Sequence, residues 1–179
     1  MKLVKKYRPV INFVVIFAVV YLILSLAYNF YLDRSVGGKY FPDYLTNLVA
    51  RQSTLITESL GYSIDLENHT EEPSIKVIIE GKYLARIVEG CNSISVIILF
   101  LSFVLAFGGK WKPTLFFILS GSVLIYTVNL LRISILTVGL YLYPWREEIL
   151  HSVIFPLIIY GMVFILWMIW VKLVSNNLK

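Results

Sequence analysis

The chain is poor in the residues that thiol and metal chemistry draw on. It holds one cysteine, Cys91, and two histidines, His69 and His151, in 179 residues. A single cysteine excludes an internal disulfide, a CxxC redox pair and a thiolate zinc cluster, and nothing in the pattern implies a metal or an organic cofactor. Charge is also scarce. Only 15% of the residues are Asp, Glu, Lys or Arg, against about 25% in soluble domains. The net charge of +5 does not point to nucleic acid, because the basic residues form no aromatic-interleaved patch. There is no internal repeat and no low-complexity segment. The first apolar run has no small-residue cleavage site behind it, so it reads as a retained helix and not a removed signal peptide.

What is abundant is apolar surface. The chain is 58% hydrophobic and 15% aromatic, with a mean hydropathy of +0.77. This is the composition of an integral membrane protein. The pattern predicts an all-α membrane bundle of about four transmembrane helices, with a small extracytoplasmic α+β insert. Three units follow: 1–32, a cytoplasmic N-terminus and first helix; 33–90, the insert; and 91–179, a membrane core with three helices.

Lys2, Lys5, Lys6 and Arg8 precede an apolar run from Ile11 to about Leu32, long enough to cross a ~30 Å hydrocarbon core. Tyr21, Tyr28, Phe30 and Tyr31 fall towards its far end, where an aromatic belt would anchor it. In the insert, Pro42 and Asp43 open a stretch with helical spacing (Leu45, Leu48, Val49, Leu55, Ile56, Leu60) that Gly61 can stop. Ile75, Val77 and Ile79 alternate, Gly81-Lys82 can turn, and Tyr83 to Val88 runs back, which predicts a β-hairpin. The insert is too small for a large core of its own and is expected to lie over the membrane helices as a lid.

The second span is Asn92–Phe107 and the third runs from Thr114 to about Leu131. A helix from 114 to 143 would be ~45 Å long, so a bend near Arg132 and a short interfacial or re-entrant piece up to Pro144 are expected. The last span is about Leu150 to Val171, kinked by Pro156. The chain ends and the basic connector at 108–113 carry eight of the 16 Lys and Arg, and all 11 Asp and Glu fall elsewhere. The positive-inside rule then puts both termini in the cytoplasm.

Those lysines also act as depth markers. Cys91 is 19 residues before Lys110, Arg132 is 20 after Lys112, and His151 is 21 before Lys172. At 1.5 Å per residue each interval is ~28–32 Å, about one hydrocarbon thickness. All three residues therefore reach the same outer interface, where they form either a catalytic group or, singly, an inert apolar cysteine, an arginine that snorkels to water and an ordinary interfacial histidine. A neighbouring cation lowers a thiol's pKa; His151 can take the thiol proton and return one to a leaving amine; Arg132 can hold charge on a carbonyl oxygen. Glu147, four residues before His151, either orients the imidazole or is a solvated charge. Asn92 and Asn129 either donate to an oxyanion or serve as polar glue between helices. Ser120-Gly121-Ser122 is no serine-protease site, because it lies mid-span with no histidine at its depth.

Glu89-Gly90-Cys91-Asn92-Ser93-Ile94 before one span, Asn129-Leu130-Leu131-Arg132-Ile133 ending the next and His151 opening the last resemble the exosortase/archaeosortase family of membrane transpeptidases over roughly residues 87–172. The short chain with its insert before the cysteine is similar to the compact XrtF-type branch. The resemblance implies that Cys91, Arg132 and His151 are the catalytic residues. It implies exported substrates that carry a C-terminal tail of motif, hydrophobic helix and basic cluster, cleaved at the outer face of the cytoplasmic membrane. The new C-terminus would pass to a surface acceptor, a lipid or glycan. Many family members have Gly two residues after the cysteine, where this chain has Ser93. The alternative reading is a non-enzymatic membrane scaffold that binds an exported partner through residues 33–90. A transporter would want charge deeper in the bilayer and usually repeated halves.

Overall fold

The computed structural model describes residues 2–35 and 37–176, and their side chains except at 2–6, 151, 155 and 176. The sequence folds into α1 (Lys2–Ser35), α2 (Tyr44–Ser59), β1 (Ile64–Asn68), β2 (Ser74–Ile79), β3 (Lys82–Val88), α3 (Ile94–Phe107), α4 (Trp111–Leu142), the short α5 (Glu147–Ile149) and α6 (Phe155–Asn176). Among the described residues three helical stretches are long and apolar enough to cross a membrane: Tyr7–Ser35, Trp111–Leu142 and Pro144–Ser175. The fourth apolar helix, α3, has 14 residues, about 21 Å. The fold is thus an all-α membrane bundle with a small β insert, as the composition predicts. The side chains of Lys2, Lys5 and Lys6, and all of Lys179, lie outside the described residues.

Helix α4 departs from expectation. It runs unbroken through Arg132 for 32 residues, about 48 Å, and there is no separate interfacial piece at 133–143. The surplus of ~18 Å over the hydrocarbon core is where the insert packs. Ile75, Val77, Ile79 and Ile87 on the sheet and Val49 on α2 form one apolar cluster with Ile133 of α4. Ser134 Oγ donates to the Ser53 carbonyl at 2.9 Å, and Tyr126 Oη donates to Gln52 Oε1 at 2.6 Å. Protein thus replaces lipid around the far end of α4, so the helix need not bend to stay buried.

The insert is an antiparallel sheet in the order β1-β2-β3. The hairpin over 74–88 is present, but it turns at Glu80-Gly81, both with positive φ (48° and 75°), one residue earlier than the Gly81-Lys82 expected. A register shift at Val77/Ile78 places an extra residue in β3. The third strand, β1, has no counterpart in the sequence reading. Asp43 caps α2, its Oδ1 accepting from Leu45 N and Thr46 N and from Tyr31 Oη at 3.1 Å. That bond ties α1 to the insert, so Tyr31 does more than anchor in a lipid interface.

A small residue sets the α3–α4 spacing in the middle of the span. A Cβ built on Gly121 would lie 2.4 Å from Cζ of Phe100. Phe100 is fully buried and packs on Phe117, which stacks on Trp170, so the ring has nowhere to swing. Gly121→Ala is expected to destabilise the bundle by about 1–3 kcal/mol through overpacking. Gly161→Ala, with nothing within 4 Å of its Cβ, is the matched control. Melting of the purified protein in detergent reads the difference; equal midpoints for the two variants would refute close α3–α4 packing.

Candidate active site

The chain leaves β3 at Val88, makes one 3-10 turn over Glu89–Cys91, and enters α3 at Ile94. That junction is tightly held. Asn92 is buried; its Nδ2 donates to Tyr28 Oη (2.7 Å) and Thr46 Oγ1 (3.1 Å), and its Oδ1 accepts from Ile94 N (3.0 Å). One amide therefore ties α1, α2 and the start of α3. With these bonds made, Asn92 is a structural tie and not a free donor for an oxyanion. Tyr28 and Thr46, its partners, carry no signal in the sequence that would mark them.

Ser93 has φ 65° and ψ −2°. A left-handed backbone favours glycine, and for another residue it costs on the order of 1–2 kcal/mol. This explains on physical grounds why a glycine suits the position two after the cysteine. Here the serine hydroxyl donates to the Asn92 carbonyl at 2.6 Å, a local bond that offsets part of the strain.

The Cys91 backbone is fixed from α4. Asn129 Nδ2 donates to the Cys91 carbonyl at 2.8 Å, and Asn129 Oδ1 accepts from Arg132 Nη1 at 3.4 Å. Asn129 is buried and lies 18 residues after Trp111, about 27 Å along the helix, so this contact sits one hydrocarbon thickness from the basic connector. The Cys91 carbonyl thus meets α4 within one turn of Arg132.

Cys91, Arg132 and Glu147 line one pocket of about 290 Å³. Its floor is α4 from Arg132 to Leu140, and its wall is β3 from Tyr83 to Ile87. The structure thus brings Glu147, Cys91 and Arg132 together. The His151 backbone lies in a π-helical turn, Leu150–Ile154, which leads directly into α6; its side chain lies outside the described residues. Pro156 cannot donate to the carbonyl four residues earlier, which accounts for a widened turn at this place. Single π turns inside helices are frequent at functional sites. The pocket also takes in Arg86, whose guanidinium is paired with Glu72. Nothing in the sequence marks Arg86, because the hairpin pattern does not show which side of the strand meets α4.

Behind the turn, Glu89 faces a second cleft with Ser25, Tyr28 and Asn29. Burial, with smaller contributions from Asp43 and Asp33, raises its carboxyl above the ordinary glutamate range. Among the described residues no group of three or more His, Cys, Asp or Glu is placed to hold a metal ion.

These features define an integral membrane protein with a thiol-lined pocket where its apolar helices meet a small sheet. The family profile of transmembrane exosortases matches residues 11–171, and the chain belongs to that family, which places it coarsely in the processing of sorting signals at a membrane. No curated protein and no solved structure matches the chain.

Proposed function

We propose that the protein is a cysteine transpeptidase or protease that cleaves C-terminal sorting signals of exported proteins at the outer face of the cytoplasmic membrane. The observation that carries this reading is the single pocket lined by Cys91, Arg132 and Glu147, with Asn129 bonded to both the Cys91 carbonyl and the Arg132 guanidinium. Family membership supports the substrate class: exported proteins with a tail of motif, apolar helix and basic cluster.

In the proposed reaction the Cys91 thiolate attacks the scissile carbonyl carbon, and Arg132 stabilises the oxyanion that forms. The C–N bond breaks as His151 gives a proton to the leaving amine. The resulting thioester is attacked by an acceptor amine or hydroxyl on a surface lipid or glycan, or by water. His151 takes the acceptor's proton, and the thiolate leaves. Glu147 orients the imidazole from four residues earlier on the same helical stretch. Both termini lie in the cytoplasm, which the lysines at the ends and in the 108–113 connector support.

The single cysteine makes the test direct. Intact cells are treated with a membrane-impermeant thiol reagent, and the labelling rate is followed against pH. Labelling from outside is expected, and its rate at neutral pH is expected to fall in His151→Ala, where the base that takes the thiol proton is gone. No labelling from outside, or a rate unchanged in His151→Ala, would overturn the reading.

A further inference from the structure

The wall of the Cys91 pocket is a strand with one side unused. β3 is an edge strand of the sheet, and five consecutive residues, Tyr83 to Ile87, line the pocket. Neighbouring residues of a strand point to opposite faces, so a pocket lined by all five runs along the strand's edge. Among the described residues no hydrogen bond joins the β3 backbone to any element except β2. Proteins ordinarily cover, charge or distort such an edge. This one ends three residues before Cys91.

We propose that this edge is the substrate-docking site: an extended segment of the exported protein adds to β3 as a fourth strand and delivers its scissile carbonyl to Cys91. The inference rests on the thiol chemistry proposed above and names how its substrate is held. Pairing to an open edge gives affinity through main-chain hydrogen bonds and leaves side-chain choice to flanking pockets. It therefore suits an enzyme that processes many proteins through a short common segment.

The geometry also sets the direction. Lys82 Nζ lies 5.7 Å from the Tyr141 ring, Ile87 clusters with Ile133, and the Cys91 carbonyl meets Asn129. β3 thus descends along α4 from residue 141 towards residue 129, into the apolar part of the bundle. A substrate whose apolar helix follows its cleavage point enters the bilayer in the same sense. It pairs parallel to β3, with the residues before the scissile bond along Tyr83–Ile87.

The test uses the full chain in lipid nanodiscs and three thiol-directed probes. Iodoacetamide reads the intrinsic reactivity of Cys91. Acetyl-Ala and acetyl-Ala-Ala-Ala chloromethyl ketones read the effect of peptide length; in each, the Cys91 sulfur bonds to the methylene carbon, chloride leaves and the thiol proton passes to solvent. The tripeptide is expected to alkylate at least about tenfold faster than the single residue, the gain of one or two hydrogen bonds. N-methylation of alternate amides is expected to remove that gain, and methylation of the intervening amides to spare it. In the tripeptide adduct, but not in the iodoacetamide adduct, hydrogen exchange slows in Tyr83–Ile87. A thiol that reacts with iodoacetamide yet gives the tripeptide no advantage, or exchange that slows only elsewhere, overturns strand addition alone. A thiol inert to iodoacetamide overturns the transpeptidase reading and this inference with it.

Discussion

Cys91→Ala is expected to abolish processing of exported substrates, by more than about a thousandfold, while the protein folds and inserts as before. The two halves of this expectation have separate grounds. The turn that carries Cys91 is held by backbone and by neighbouring side chains: Asn129 on the Cys91 carbonyl, and Asn92 on Tyr28, Thr46 and Ile94. Among the described residues no hydrogen bond uses the sulfur, and the residue is only partly buried, so removing it leaves no large cavity. Chemistry has no substitute. Cys91 is the only thiol, and an alanine methyl forms no thioester. Cys91→Ser keeps the shape, but a hydroxyl is far harder to ionise than a thiol, and its activity is expected to stay below a hundredth of wild type. Two measurements check this: the melting midpoint in detergent, expected within about 1 °C of wild type, and the ratio of precursor to processed substrate in cells. Normal processing by Cys91→Ala would sink the transpeptidase reading, and the scaffold reading would take its place.

How far the sequence foretold this site depends on which physical signal each part leaves. Depth in a bilayer is written in the spacing of charges around apolar runs, so Cys91 and Arg132 were placed at one level from Lys110 and Lys112 alone. Their meeting needed the structure, because it runs through Asn129, whose amide reads equally well as helix glue. A bend in α4 follows only if a bilayer is its sole apolar surrounding. The sheet supplies another, and Ile133 is buried against Ile75 and Val77 and not against lipid. Strand β1 was missed because Ile64-Asp65-Leu66-Glu67-Asn68 is short and mostly exposed; its burial pattern has one fully buried residue. The turn was misplaced by one residue because Glu80 adopts φ 48°, a conformation that composition assigns to glycine or asparagine. The pocket wall at Tyr83–Ile87 left no signal at all, since an open edge is a property of the sheet and not of the strand that forms it.

Arg132→Ala is expected to be nearly as costly as loss of the thiol, lowering the rate of the acylation step by about 10²–10³-fold, the range for removal of one oxyanion donor. Its effect on pH dependence separates two ways in which a guanidinium can serve here. If Arg132 mainly stabilises thiolate, raising the pH restores most of the alkylation rate in the variant. If it mainly stabilises the oxyanion, alkylation by iodoacetamide, which forms none, stays near wild type, while peptide processing stays low at every pH. The geometry favours the second. Asn129 holds one arm of the guanidinium at 3.4 Å, and Arg132 lines the pocket it shares with Cys91. Arg132→Lys distinguishes fork from charge. An ammonium supplies the charge but not two donors in fixed directions, so Lys is expected to recover less than about a tenth of the lost activity. Full recovery with Lys would mean that Arg132 acts as a point charge, and wild-type processing with Ala would remove it from the reaction.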